Sequence, residues 1–247
     1  MTAPSEPSPL LFASVLLDFP GHRTARQLGK AQVSSLLRFF FNGDIIVWRN
    51  FPEILYPVAR VGVHEFDFIP SSPIKKNASL AEIALKAKFQ LAESLTEHAA
   101  RYSWIILADS DVLTLRNLDH LFENQDADLL VSRKQDGTLN EGFFAINSSQ
   151  YLRFLEAWKA PKILPSPRNP NFLQAVIDTK EFTSNTFERG EIVSPFADDS
   201  PIRDIMEAAV ASLAGGTTTE KTKLSFALHM MRTFGDEDGV FLDLMES

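Results

Sequence analysis

The sequence predicts an α/β protein: a single domain with a mainly parallel mixed sheet and helices on both faces. Three observations lead there. Short, continuous apolar runs recur along the chain (LLFASVLL, DIIVW, WIILA, DLLV), and a run of that length without alternation is the pattern of a strand buried on both faces. Between them lie longer stretches whose apolar residues repeat at helical spacing, and strands alternating with helices favour a parallel sheet. The chain is also large enough for one such domain, with 247 residues of which 45% are hydrophobic.

Residues 1–9, MTAPSEPSP, are rich in Pro and Ser and lack the positive charge of a signal peptide, so they read as a disordered leader. Residues 10–18 form the first predicted strand, and 19–29 a loop. Residues 30–41 read as a helix stopped by Asn42-Gly43. DIIVWRN and VGVHEFDFIP are the second and third strands, the latter closed by Pro70.

The clearest helix spans 79–102. Ser79 and Glu82 have capping-box spacing, and Leu80, Ile83, Ala84, Ala87, Leu91 and Leu95 share one face. WIILA, residues 104–108, is a short buried strand. A short helix over 117–122, a strand at DLLVSR, another over 141–146 and a helix in SSQYLRFLEAWKA follow. Four prolines make 161–170 a loop, NFLQAVIDTKEF reads as helical and EIVSPF as a short strand. PIRDIMEAAVASLA is predicted helical, GGTTTEKTK mobile, and KLSFALHMM a last strand ending near His229. The domain is expected over 10–235, with an acidic tail over 236–247.

Composition narrows the function. The net charge of −8 and pI near 5.2 argue against a nucleic-acid binder, which presents a basic face. The chain has no cysteine, so disulfides, thiolate metal sites and cysteine nucleophiles are excluded. This fits a reducing compartment, and a cytoplasmic location is expected. No apolar run reaches the length of a transmembrane helix.

The segment IILADSDVLTL raises the functional question: a buried-looking strand ends on Asp109 and Asp111, with Ser110 between them. Buried carboxylates need partners, and ligands in parallel sheets bind at the C-terminal ends of strands. The D-x-D pattern occurs three times. Asp126/Asp128 lie in a polar loop and Asp236/Asp238 in the acidic tail, so both pairs read as solvated. Only Asp109 and Asp111 follow a buried strand. They are either turn residues at a strand end or ligands of a hard cation, Mn²⁺ or Mg²⁺, shared with substrate phosphates.

ILADSDVLTLRNLDHLF resembles the metal-binding segment of GT-A (Rossmann-like) glycosyltransferases, in particular the glycogenin-like retaining family and its galactosyl- and xylosyltransferase relatives. The tail of that segment matches in Leu115, Asn117, Asp119, Leu121 and Phe122. LNEGFFAINSSQYLRFLEAW resembles the family's N-x-G strand and following helix, through Asn140 and Gly142. Lys88 and His229 match a lysine near the donor and a late histidine. The resemblance covers residues 10–235 in order.

It implies a metal-dependent transferase that moves a sugar from a nucleotide-diphosphate donor, a UDP-sugar foremost, to a carbohydrate or protein acceptor, with retention of configuration. Asp109, Asp111 and His229 would hold Mn²⁺ (or Mg²⁺). Lys88 and Arg232 would counter phosphate charge, with Ser110 also beside the donor. Asn140 and Gly142 would border the sugar, and residues 15–18 the base. Plainer readings stand beside these: a solvated helical lysine for Lys88, a strand-end histidine for His229 and a turn for Asn140 and Gly142.

The chain departs from the family at Asn171-Phe172, where the family has Asp-Gln. It departs again at HMMRTFG, where the family continues to Gly and Lys-Pro-Trp, and at Glu141, where the middle residue of N-x-G is small. Asn171 and Gln174 are the candidates left for a catalytic role, with Asp178 a further substitute for the missing acid. Two alternatives use the same residues: a non-catalytic sugar-nucleotide-binding scaffold of the same fold, and a phosphatase of the haloacid-dehalogenase type, which also ends a strand on D-x-D. A nucleotidyltransferase is disfavoured, because the loop after Asp18 holds only Gly21 and Gly29.

Overall fold

The structure, a computed structural model, describes residues 10–17, 24–39, 43–50, 63–67, 80–133, 137–160, 172–188, 190–193, 208–213, 222–223 and 226–227. The expected leader, the acidic tail, the capping box at Ser79 and the prolines of 161–170 lie outside the described residues.

The strands are β1 (Leu10–Leu16), β2 (Gly43–Arg49), β3 (Val63–Asp67), β4 (Trp104–Ala108), β5 (Val112–Thr114), β6 (Leu129–Arg133), β7 (Leu139–Asn147), β8 (Ser184–Thr186), β9 (Ile192–Val193) and β10 (Val210–Ser212). The helices are α1 (Thr24–Phe39), α2 (Leu80–Ser94), α3 (Tyr151–Lys159) and α4 (Phe172–Asp178). Among the described residues seven strands form one sheet in the order β3-β2-β1-β4-β7-β6-β8; β5, β10 and β9 form a second, smaller sheet. In the large sheet β1, β2, β3 and β4 run parallel, and β7 is antiparallel to both its neighbours.

Alternation along the central strands builds two cores, because successive side chains point to opposite faces. Leu10, Phe12 and Leu16 of β1 join Trp104 and Ile106 of β4 and Phe143 of β7 under α1, which contributes Val33 and Leu36. Leu11 and Ala13 join Ile105, Leu107 and Phe144 on the other face, covered by Leu91 of α2, Phe154 and Trp158 of α3 and Phe172 of α4. Here Trp158 stacks on Phe172 at 4.3 Å between ring centroids. Helices therefore lie on both faces, as expected.

Several boundaries differ from the sequence reading. The first helix starts at Thr24, six residues before the expected Lys30. Gly29, taken as loop, lies inside α1 where a Cβ would come within 2.7 Å of Leu16 Cδ1. It is a close-packing residue, not a break. The second helix ends at Ser94, and a separate 3₁₀ turn, Ala99–Arg101, leads into β4. The helix expected over 117–122 is a 3₁₀ turn, Asp119–Phe122.

The helix expected over 201–214 is corrected at its described end, where Val210–Ser212 is strand β10 between β5 and β9. Ala208, Ala209, Val210, Ala211, Ser212 and Leu213 are all fully buried. Helix propensity favours alanine, but pairing on both edges overrides it. The expected last strand, KLSFALHMM, is helical at its described residues Lys223, Phe226 and Ala227. Strands β5 and β8 were not anticipated. Among the described residues no helix is long and apolar enough to cross a membrane.

Candidate functional site

In the large sheet β1 has β2 on one side and β4 on the other. The strand order reverses there, which opens a crevice at the carboxyl ends of β1 and β4. Ser14 pairs with Ala108 in that register, and the next residue on β4's side is Asp109.

Backbone bonds from both sheets fix the turn that carries Asp109 and Asp111. The Asp109 N–H donates to the Gly142 carbonyl at 2.8 Å, extending the β4–β7 ladder by one bond. The Asp109 carbonyl accepts from Gln32 Nε2 of α1 and from the Val112 N–H. The Asp111 carbonyl accepts from the Leu213 N–H beyond β10 at 2.9 Å. The chain thus leaves one sheet at Asp109 and enters the other at Val112, with both carboxylates on the short turn between.

Each carboxylate has a lysine. Lys88 Nζ pairs with Asp109 Oδ1 and donates to the Glu141 carbonyl at 3.1 Å. Lys88 is only 7% exposed, so the solvated-lysine reading is wrong: α2 aims this side chain inward, where burial of an ammonium requires a carboxylate partner. Lys223 Nζ donates to Asp111 Oδ2 at 2.6 Å. Burial pushes the Asp111 carboxyl above its usual range, with the Asp109 charge adding to the shift and Lys223 opposing it. Its other oxygen, Oδ1, is buried without a hydrogen-bond partner.

Strand β7 forms the third wall. Asn140 Oδ1 accepts the Gly142 N–H at 3.0 Å. A Cβ at Gly142 would stand 3.0 Å from Asn140 Oδ1, 3.0 Å from Asp109 Oδ2 and 3.5 Å from Ser212 Oγ. The bare glycine thus lets the Asp109 carboxylate lie close against β7, where a Cβ would crowd it. Glu141, which departs from the resemblance, has a structural role: its Oε1 accepts the Leu173 N–H in the first turn of α4 at 2.9 Å. Burial raises its carboxyl from an ordinary 4.5 to about 6, while the Leu173 bond and Lys88 pull it back down.

Of the residues singled out in the sequence, Lys88, Asp109, Ser110, Asp111, Asn140 and Gly142 come together at one end of the sheet. Gln174 lies on α4, and its amide donates to Asp178 Oδ1 along the helix at 2.8 Å. Asn171, His229 and Arg232 lie outside the described residues. The sequence reading missed Gln32, Glu141, Ser212 and Lys223. Glu141 lies inside the matched N-x-G and was within reach. Lys223 stands in a Gly- and Thr-rich stretch with no signal to mark it.

The oxygen donors suit a hard divalent cation. Asp111 Oδ1 is unpaired, Asp109 Oδ2 lies over Gly142, and Asn140 supplies an amide oxygen nearby. Among the described residues no three His, Cys, Asp or Glu side chains stand together.

No family model matches the sequence, and no curated protein does either. Solved structures do. The chain is similar to a glycosyltransferase involved in the glycosylation of the major capsid of PBCV-1, with a TM-score of 0.57 and 10% identity over 90% of this chain and 99% of that one. The chain has a GT-A-like glycosyltransferase fold. It is similar also to the glycosyltransferase GlyE of Streptococcus pneumoniae TIGR4 (TM-score 0.55, 13% identity, 96% of this chain, 63% of that one). A third is the bifunctional glycosyltransferase WbbM (TM-score 0.57, 13% identity, 100% of this chain, 53% of that one). Within this glycosyltransferase fold, the Asp109–Asp111 turn occupies the crevice at the strand-order reversal. At identity this low the likeness is one of fold, which many different sequences can satisfy.

Proposed function

We propose that the protein is a metal-dependent glycosyltransferase that takes its sugar from a nucleoside-diphosphate donor, a UDP-sugar foremost, and passes it to a carbohydrate or protein acceptor with retention of configuration. One observation carries the reading: two carboxylates, each neutralised by a lysine, are held by backbone bonds on a turn at the crevice where such folds bind ligands. A haloacid-dehalogenase-type phosphatase and a non-catalytic scaffold are not favoured by any comparison.

Asp109 and Asp111 would hold Mn²⁺ or Mg²⁺, with His229 a third ligand. The cation would act as a Lewis acid on the departing diphosphate. Lys88, fixed between Asp109 and the Glu141 carbonyl, orients the Asp109 carboxylate and holds positive charge beside the phosphates. Ser110 and Arg232 belong to the donor site in this reading. Asn140 and Gly142 border the sugar, and the bare Cα of Gly142 lets the Asp109 carboxylate lie close to β7. Asn171 and Gln174 remain the candidates near the reacting carbon. The acidic chain argues against a nucleic-acid acceptor. Its lack of cysteine supports a cytoplasmic location.

The test is thermal stabilisation by UDP and GDP, with and without Mn²⁺, because a ligand that binds only the folded state raises the apparent stability. A shift that needs nucleotide and Mn²⁺ together is expected, lost in Asp109→Asn and Asp111→Asn and kept in Asp126→Asn. Full shifts in both site variants would overturn the assignment.

A further inference from the structure

We propose that Lys223 makes cation binding conditional on the diphosphate: the site holds a divalent cation tightly only when a diphosphate arrives with it. The inference rests on the metal-dependent reading above and adds a residue and a binding rule to it.

The argument is one of charge. Asp109 and Asp111 bring two negative charges, and Lys88 and Lys223 bring two positive ones in direct contact. The four side chains sum to zero. The Lys88 side chain is 8% exposed, those of Lys223 and Asp111 are 16% and 15% exposed, and that of Asp109 is 41% exposed, so water screens the Asp111–Lys223 pair poorly and reaches the cluster through Asp109. Among the described residues, the polar groups around it include Gln32, Ser110, Asn140 and Ser212, all neutral, and Glu141, whose carboxylate is bound to the Leu173 N–H. A bare divalent cation entering here meets two ammonium groups and no uncompensated carboxylate among the described residues. A diphosphate brings more negative charge than the cation brings positive, so the pair enters as a near-neutral unit.

Geometry gives Lys223 a part in both halves of the rule. Its ammonium occupies Asp111 Oδ2 at 2.6 Å, while Oδ1 has no partner. Oδ1 would therefore be the Asp111 oxygen left for the cation with the lysine still in place, and because it is buried the side chain would have to shift to present it. Lys223 then stands one carboxylate away from the metal, where it weakens a bare cation and attracts the phosphate oxygens that follow.

The experiment measures Mn²⁺ binding by electron paramagnetic resonance, alone and with saturating UDP, on the full chain. Lys223→Gln removes the charge and keeps an N–H donor for Asp111; Lys223→Arg keeps the charge. In the wild type, UDP should tighten Mn²⁺ binding by at least an order of magnitude, and Mn²⁺ should tighten UDP binding by the same factor. In Lys223→Gln, bare Mn²⁺ should bind on the order of tenfold more tightly and UDP with Mn²⁺ on the order of tenfold more weakly. Lys223→Arg should restore the wild-type coupling. A merely structural lysine would weaken both ligands together, and that result overturns the inference. So does coupling in Lys223→Gln equal to the wild type's. A wild type that binds neither Mn²⁺ nor UDP in any combination overturns the metal-dependent reading itself.

Discussion

Glu141 answers to two neighbours at once. Its carbonyl holds Lys88 and its carboxylate holds the first turn of α4, so one residue of β7 joins the carboxylate pair to the helix behind it. Burial raises its carboxyl from 4.5 to about 6. The folded state therefore binds a proton that the unfolded chain has already released within that window. This contribution to stability is fully present below about pH 4.5 and is lost as the pH rises through about 6, with a total near 2 kcal/mol. Glu141→Gln keeps an oxygen for the Leu173 N–H and cannot titrate. Urea unfolding from pH 4 to 7.5 should show the wild type losing up to about 2 kcal/mol relative to the variant. Parallel curves would assign the proton to another group. In the sequence Glu141 looked like a misfit, because what it bonds lies 32 residues further on.

At the scale of elements, β5 is only three residues long and has β10 on one edge. Its other edge meets α1. There Ser35 Oγ accepts the buried Thr114 N–H at 3.0 Å and donates to the Gln32 carbonyl at 2.7 Å. A helix side chain thus completes a strand edge, and the same turn of α1 sends Gln32 to the Asp109 carbonyl. Ser35→Ala should cost about 1–3 kcal/mol, the penalty of a buried donor left without a partner. Faster hydrogen exchange at the Thr114 amide is expected, and protection equal to the wild type's would show that the bond contributes nothing. Elements with one strong local signal were legible: WIILA is β4 to the residue. Elements that exist only through a partner were not. β10 reads as helix until β5 and β9 flank it, and β8 is a mostly polar edge strand, SNT, without an apolar pattern.

At the scale of the whole molecule, the two cores share one sheet. Leu11 and Phe12 are neighbours in sequence yet belong to opposite faces, so loosening one layer loosens the strands that support the other. Trp158 is the largest fully buried side chain. It stacks on Phe172 of α4 and meets Phe154 and Phe89 edge-on at 5.7 and 5.0 Å, which joins α2, α3 and α4. Trp158→Ala should destabilise the protein by about 3–5 kcal/mol. Fluorescence and circular dichroism should still follow one coincident unfolding transition. Two separated transitions would mean that the helical layer can melt away from the sheet.

By itself, the sequence determined the α/β class, the central strands and the place of Asp109 and Asp111 at a strand end. Those features follow from local rules, since apolar runs must be buried and acids collect where a buried strand meets solvent. Asn140 and Gly142 were legible for a related reason, as a short pattern entering a strand. Only the tertiary structure decided what neutralises the acids. Lys88 is 21 residues from Asp109 in the chain, and Lys223 is 112 residues from Asp111. A charge pair has no sequence periodicity, and the bond that makes each lysine part of the site exists only once the sheet has brought the segments together.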